Sequence, residues 1–126
     1  MKKLIFKGAA TALITPMTEK GKINFPVLEQ LLELQIEGKA DAVVIAGTTG
    51  EASTLSDEEH VMLVEKAVKQ VGGRIPVIAG AGSNDTAHAV WMSKACEKAG
   101  ADALLHVTPY YNLSLIHISE PTRLRR

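Results

Sequence analysis

What this chain of 126 residues lacks narrows its reading first. Cys96 is its only cysteine, so no disulfide forms within it. The helical pattern around Cys96 favours a small buried hydrophobe over a nucleophile. Net charge is zero, and the one basic cluster is Arg123, Arg125 and Arg126 at the very end. A nucleic-acid footprint needs a basic face, so no nucleic-acid partner is expected. No apolar run reaches 18 residues, so no membrane span is expected. Met1 to Phe6 starts like a signal peptide, but Lys7-Gly8 breaks the apolar stretch at once, and a cytoplasmic protein is the default. His60 and His88 fall in helical stretches and His106 in a strand. No pair of them has metal-ligand spacing, and no metal site is expected. There is no nucleophile elbow, and Gly80-x-Gly82 lacks the third glycine of a dinucleotide fingerprint.

What is present reads as alternating strands and helices. Gly8 to Ile14 is small and apolar and stops at Thr15-Pro16, as a strand buried on both faces does. Asn24 is a good N-cap before a helix with Pro26 in its first turn. Val27, Leu28, Leu31, Leu32 and Leu34 form its stripe, and Gly38 its stop as a C′ glycine. Ala42 to Ala46 is a second strand. Ser56 and Glu59 have capping-box spacing at the head of a second helix, with Val61, Val64, Val68 and Val71 on one face and Gly72-Gly73 as its end. Ile75 to Ala79 is a third strand. The third helix carries Ala89, Met92, Cys96 and Ala99 on one face and ends at Gly100, and Asp102 to Val107 is the fourth strand. Asp41 and Asp102 lie 61 residues apart, each following a helix stop and opening a strand. This spacing of two βα units marks both as strand-entry turn residues.

Strands alternating with helices imply a parallel sheet with right-handed crossovers. A doubly wound open sheet and part of a (β/α)8 barrel both fit. The barrel is favoured because every strand ends in small polar residues: Thr15-Pro16, Thr48-Thr49, Ser83-Asn84, and Thr108 with two tyrosines. The expected fold is α/β, the N-terminal half of a TIM barrel with four strands and three helices.

Thr48 and Thr49, between Gly47 and Gly50, carry two readings. They are either an anion site with two hydroxyl donors and close backbone N–H groups, or a tight turn whose hydroxyls satisfy local backbone. Tyr110 and Tyr111 are adjacent at a strand end, so one could face the site while the other packs outward or across an interface. As bare residues, aromatic packing is the better account of both. Glu51 reads as a loop anchor and Trp91 as helix packing.

Three motifs together resemble a known family: Gly47-Thr48-Thr49-Gly50-Glu51, Gly80-Ala81-Gly82-Ser83-Asn84, and Val107-Thr108-Pro109-Tyr110-Tyr111-Asn112. Over about residues 5–112 the chain is similar to the N-terminal part of the 4-hydroxy-tetrahydrodipicolinate synthase (dihydrodipicolinate synthase) family of lysine biosynthesis. The resemblance implies a lyase that condenses pyruvate with aspartate semialdehyde. Pyruvate forms a Schiff base with a lysine and becomes an enamine, with no cofactor. Thr49 matches the threonine that binds the pyruvate carboxylate. Thr48 matches one member of a proton relay, and Tyr111 the relay tyrosine that reaches a neighbouring subunit, which implies a homodimer or homotetramer. Asn84, Tyr110 and His60 match positions of an allosteric lysine site. His88 stands where lysine-sensitive members often carry glutamate. The Schiff-base lysine and the proton-donor tyrosine would follow residue 112. A sugar-acid aldolase and a non-enzymatic half barrel that binds small anions are the alternatives. Leu113 to Arg123 does not resemble the family and reads like a translated transposase sequencing adapter. The expected division is therefore a truncated barrel domain over 1–112 and a non-native tail over 113–126.

Overall fold

The computed structural model describes residues 3–111. The expected tail, and Asn112 of the third motif, lie outside the described residues. The order is β1 (Ala10–Ala12), α1 (Phe25–Glu37), β2 (Ala42–Ile45), a 3-10 turn (Ala52–Thr54), α2 (Asp57–Val71), β3 (Val77–Gly80), α3 (Thr86–Lys98) and β4 (Ala103–Leu105). The sheet runs β1-β2-β3-β4, all parallel, with Ala10 opposite Ala42, Val44 opposite Ile78 and Gly80 opposite Leu105. A doubly wound sheet reverses its strand order partway across. Here sequence order and spatial order coincide, which is the winding of a barrel.

Local chemistry sets the helix ends. Asn24 accepts the Val27 amide at the head of α1, and Pro26 sits in the first turn, where its missing N–H costs nothing. Ser56 Oγ accepts from Glu59 N while Glu59 Oε2 accepts from Ser56 N, the reciprocal pair expected from their spacing. Gly72 ends α2 at a φ of 59°. Gly38 departs from expectation. It stays right-handed at φ −72°, and the left-handed residue is Lys39, one position later. The amide of Gly38 still bonds back to Leu34 O, so the helical turn closes before the chain reverses.

The core lies between the sheet and the helices. Leu28 and Leu32 come from α1, Leu63, Val64, Ala67 and Val71 from α2, Met92 and Cys96 from α3, and Val43, Ile45, Val77 and Ala79 from the two central strands. Burial pushes the Cys96 thiol up to about 11, so it packs as a neutral hydrophobe. The buried face of α2 is rotated slightly from the valine stripe, leaving Val61 and Val68 half-buried beside it. Leu34, expected on the α1 stripe, is exposed. It lies two positions from Leu32, about 200° around a helix from the core side. The doubly covered reading of the first strand fails: β1, like β4, is a half-buried to exposed edge strand among the described residues, whereas β2 and β3 are buried.

The two aspartates do equivalent work at the N-terminal edge of the sheet. Asp41 accepts from Ala9 N at 2.8 Å and donates its own amide to Ala9 O. Asp102 does the same with Val77, at 2.9 and 2.8 Å. Each clasps the start of its strand to the start of the preceding one, which explains the recurrence after 61 residues. Arg74, just past α2, reaches back to both carboxylate oxygens of Glu33 on α1. These ties leave the opposite, C-terminal edge of the sheet to carry function.

Candidate active site

All four strands deliver their C-terminal ends to one edge, because all are parallel. After β2 the chain turns abruptly. Ala46 adopts φ 54°, and Glu51 φ 55°, both left-handed and both bearing a Cβ. Non-glycine residues held there are strained and persist only where the surroundings over-determine them. Gly47 O accepts from Ala52 N at 3.3 Å and Thr48 O from Glu51 N at 3.0 Å, so backbone bonds close the turn. Thr54 Oγ1 donates to Glu51 O, which anchors the loop as expected of Glu51, although through its backbone. Gly47 and Gly50 are not the left-handed residues here. Gly50 serves close approach instead: a Cβ on it would stand 3.2 Å from Ala46 N and from Leu13 O. The Thr48 and Thr49 side chains are exposed, and among the described residues neither hydroxyl bonds to protein. The turn reading required those hydroxyls to satisfy nearby backbone, and they do not.

Beside this loop lies a cleft of about 400 Å³ between the heads of α2 and α3, lined by Gly47, Thr48, Ser53, Asp57, His60, His88 and Tyr110 among others. His60 is buried, and its Nε2 donates to Gly80 O at 2.6 Å. A carbonyl can only accept, so Nε2 carries the proton. Burial lowers the His60 pKa from 6.5, against the opposing pull of the Gly80 bond and of Asp57. The neutral form is therefore native. The unfolded chain takes up a proton below pH 6.5 that the fold resists, so stability falls as pH drops through 6.5. Urea midpoints measured from pH 7.5 to 5 should decline more steeply for the wild type than for His60→Gln, by at most about 1.4 kcal/mol per pH unit. Parallel slopes would refute this.

His88 Nε2 lies 2.8 Å from Asp57 Oδ1, an ion pair when His88 is protonated, and it links the first turns of α2 and α3 across the cleft mouth. Trp91 stacks on the His88 ring with centroids 6.2 Å apart and is 50% exposed. It packs against its own helix, as expected of it, on the exposed side of α3. Among the described residues no group of three His, Cys, Asp or Glu side chains could hold a metal ion.

The tyrosines divide as expected, one toward the cleft and one outward, but not through strand alternation. β4 ends at Leu105, so Tyr110 and Tyr111 are beyond the strand and strand alternation does not orient them. Tyr111 turns at φ 65°, and the two rings meet edge to face at 5.4 Å. Tyr110 lines the cleft, while Tyr111 is 97% exposed. The cleft thus unites Thr48, His60 and Tyr110. Thr49, Asn84 and Tyr111 do not line it; Asn84 is exposed in the turn before α3. Sequence reasoning missed Thr15, whose buried Oγ1 donates to Gly50 O at 2.7 Å. It also missed the Asp57–His88 pair, for which the acidic first turn of α2 was the only local signal.

The chain is similar to known proteins in both sequence and fold. The chain is 56% identical over 112 residues to the 4-hydroxy-tetrahydrodipicolinate synthase of Acetivibrio thermocellus, a match covering 89% of this chain and 38% of that protein. It is 52% identical over 108 residues to the synthase of the same name from Neisseria gonorrhoeae, covering 86% and 37%. The chain therefore spans about two fifths of the length of these relatives. In structure it is similar to dihydrodipicolinate synthase from Aquifex aeolicus, with TM-score 0.83 and 45% identity over 86% of this chain and 37% of that one. It is also similar to the chloride-inhibited synthase of Acinetobacter baumannii, solved with pyruvate, with TM-score 0.86 and 41% identity over 96% and 42%. The described sheet and helices thus correspond to the N-terminal part of these TIM barrels. The model of the dihydrodipicolinate synthetase family matches residues 5–116, which takes in β1 to β4 and all three strand-end motifs. On that match and these identities, the chain belongs to the dihydrodipicolinate synthetase family.

Proposed function

We propose that the chain is the N-terminal part of a 4-hydroxy-tetrahydrodipicolinate synthase, the lyase that condenses pyruvate with aspartate semialdehyde. The observation that carries this reading is the pair of exposed hydroxyls, unpartnered among the described residues, on the strained Ala46–Glu51 turn. Strain concentrates where a turn must present particular groups, and free hydroxyl donors at the C-terminal edge of a barrel are what a small carboxylate requires. The names of the relatives and the pyruvate held by the Acinetobacter enzyme support the choice of substrate.

In this reading Thr49 and the amides of its loop hold the pyruvate carboxylate. A lysine amine adds to the pyruvate ketone, water leaves, and the imine loses a methyl proton to give the enamine that attacks the aldehyde. Thr48 and Tyr111 pass protons during these steps. The full exposure of Tyr111 supports its service to a second subunit, in a homodimer or homotetramer. Tyr110, His60 and Asn84 belong to a regulatory site in the same reading. Tyr110 and His60 on the cleft wall support it, whereas the position of Asn84 outside the cleft does not.

The Schiff-base lysine belongs to a later strand of the full-length enzyme. Lys94 and Lys98 lie on α3, outside the cleft lining. Pyruvate and borohydride should therefore leave the mass of this chain unchanged and add one reduced pyruvate per subunit to the full-length enzyme. A stable adduct on this chain would overturn the assignment of the amine. Turnover of the full-length enzyme with aspartate semialdehyde, and not with sugar-derived aldehydes, separates the synthase from a sugar-acid aldolase.

A further inference from the structure

We infer that Thr15 is a positioning residue for the Ala46–Glu51 turn, an inference that rests on the reading of Thr48 and Thr49 given above. Among the described residues only two polar side chains are buried, Thr15 at 4% and His60 at 6% exposure. A buried hydroxyl is costly unless bonded, so its partner shows what it is for. Each of the two donates to a glycine carbonyl at the C-terminal edge: Thr15 to Gly50 at 2.7 Å, and His60 to Gly80 at 2.6 Å.

The bond from Thr15 joins residues 35 apart, from the extension of β1 to the far end of the threonine turn. The β1 side is itself fixed. Leu13 N bonds to Val44 O at 3.0 Å, which carries the ladder past the strand, and Pro16 restricts Thr15 to extended backbone. Gly50 meets this segment closely enough that a Cβ would stand 3.2 Å from Leu13 O. The turn leaves β2 at left-handed Ala46 and ends at left-handed Glu51, so the exposed threonines lie between two strained residues. Backbone bonds from Glu51 and Ala52 close the turn upon itself but do not tie it to β1. The Thr15 hydroxyl supplies that tie. It touches no substrate; it sets where Thr48 and Thr49 stand relative to the rest of the edge.

The test uses the full-length enzyme with Thr15→Val, which keeps the shape and removes the donor, and Thr15→Ser, which keeps the donor. Thr15→Val should raise KM for pyruvate about 10-fold and leave KM for aspartate semialdehyde unchanged, because a displaced binding group costs orientation. Thr15→Ser should restore the pyruvate KM. Amide hydrogen exchange over residues 46–52 should quicken in Thr15→Val and return to wild type in Thr15→Ser. If exchange over that segment is unchanged in Thr15→Val, the inference is overturned, whatever the activity. Quickened exchange with unaltered pyruvate kinetics also overturns it, since Thr15 would then be structural only. A wild-type enzyme that does not turn over pyruvate defeats the proposed function, and quickened exchange in Thr15→Val would still uphold the tie between Thr15 and the turn.

Discussion

Gly80→Ala should cost the fold about 3 kcal/mol, the upper part of the range for forcing a methyl into packed backbone. A Cβ on Gly80 would overlap the carbonyl oxygen of Ala46 and stand 2.7 Å from its carbon. The obstruction is main chain, so no rotamer relieves it, and β2 and β3 must separate where the threonine turn begins. Ala46 is already left-handed at φ 54° and has little freedom to retreat. Gly38→Ala is the milder comparison: its φ of −72° suits alanine, and a Cβ there would stand 3.1 Å from Leu34 O, a contact a small shift relieves, so it should cost about 1 kcal/mol. Urea denaturation of both variants reads the difference. Equal midpoints would refute the clash between Gly80 and the Ala46 backbone as the source of the cost.

The second large effect is catalytic and depends on the proposed function. In the full-length enzyme Thr48→Val should lower kcat about 100-fold, the lower end of what a positioned proton-transfer group contributes. Thr49→Val should instead act mainly on KM for pyruvate, raising it about 10-fold through loss of one hydrogen bond to a charged carboxylate. Neither variant should lower the urea midpoint measurably, because neither hydroxyl bonds to protein among the described residues. Valine conserves the volume, so a fall in stability without a change in kinetics would return both residues to the role of turn fillers.

Much of the fold was legible because its cues are local. Asn24, the Ser56–Glu59 pair and Gly72 each act on backbone within one turn, and the structure has them doing so. The paired aspartates were legible as strand openings, although their partners Ala9 and Val77 were not. Errors arose where an outcome depended on a neighbour in space. Leu34 looked like part of a stripe until Leu28 and Leu32 took the core side. The fourth strand reads as far as Val107 because the apolar run continues there, but β4 ends at Leu105, which leaves Tyr110 and Tyr111 well past it.

By itself the sequence determined the order of strands and helices, their caps, the polar character of every strand end and the likeness to one family. All of these follow from periodicity, from residues a few positions apart, or from motifs read in order. Only the tertiary structure decided the sequential winding of the sheet and the bracing of the threonine turn. Thr15 finds Gly50 across 35 residues, and His60 finds Gly80 across 20. A buried donor can take whichever carbonyl packing brings within 3 Å, and neither a hydroxyl nor an imidazole carries a pattern that names its partner in advance. The same holds for Gly80, whose missing side chain has meaning only because the Ala46 backbone occupies the space where a Cβ would be.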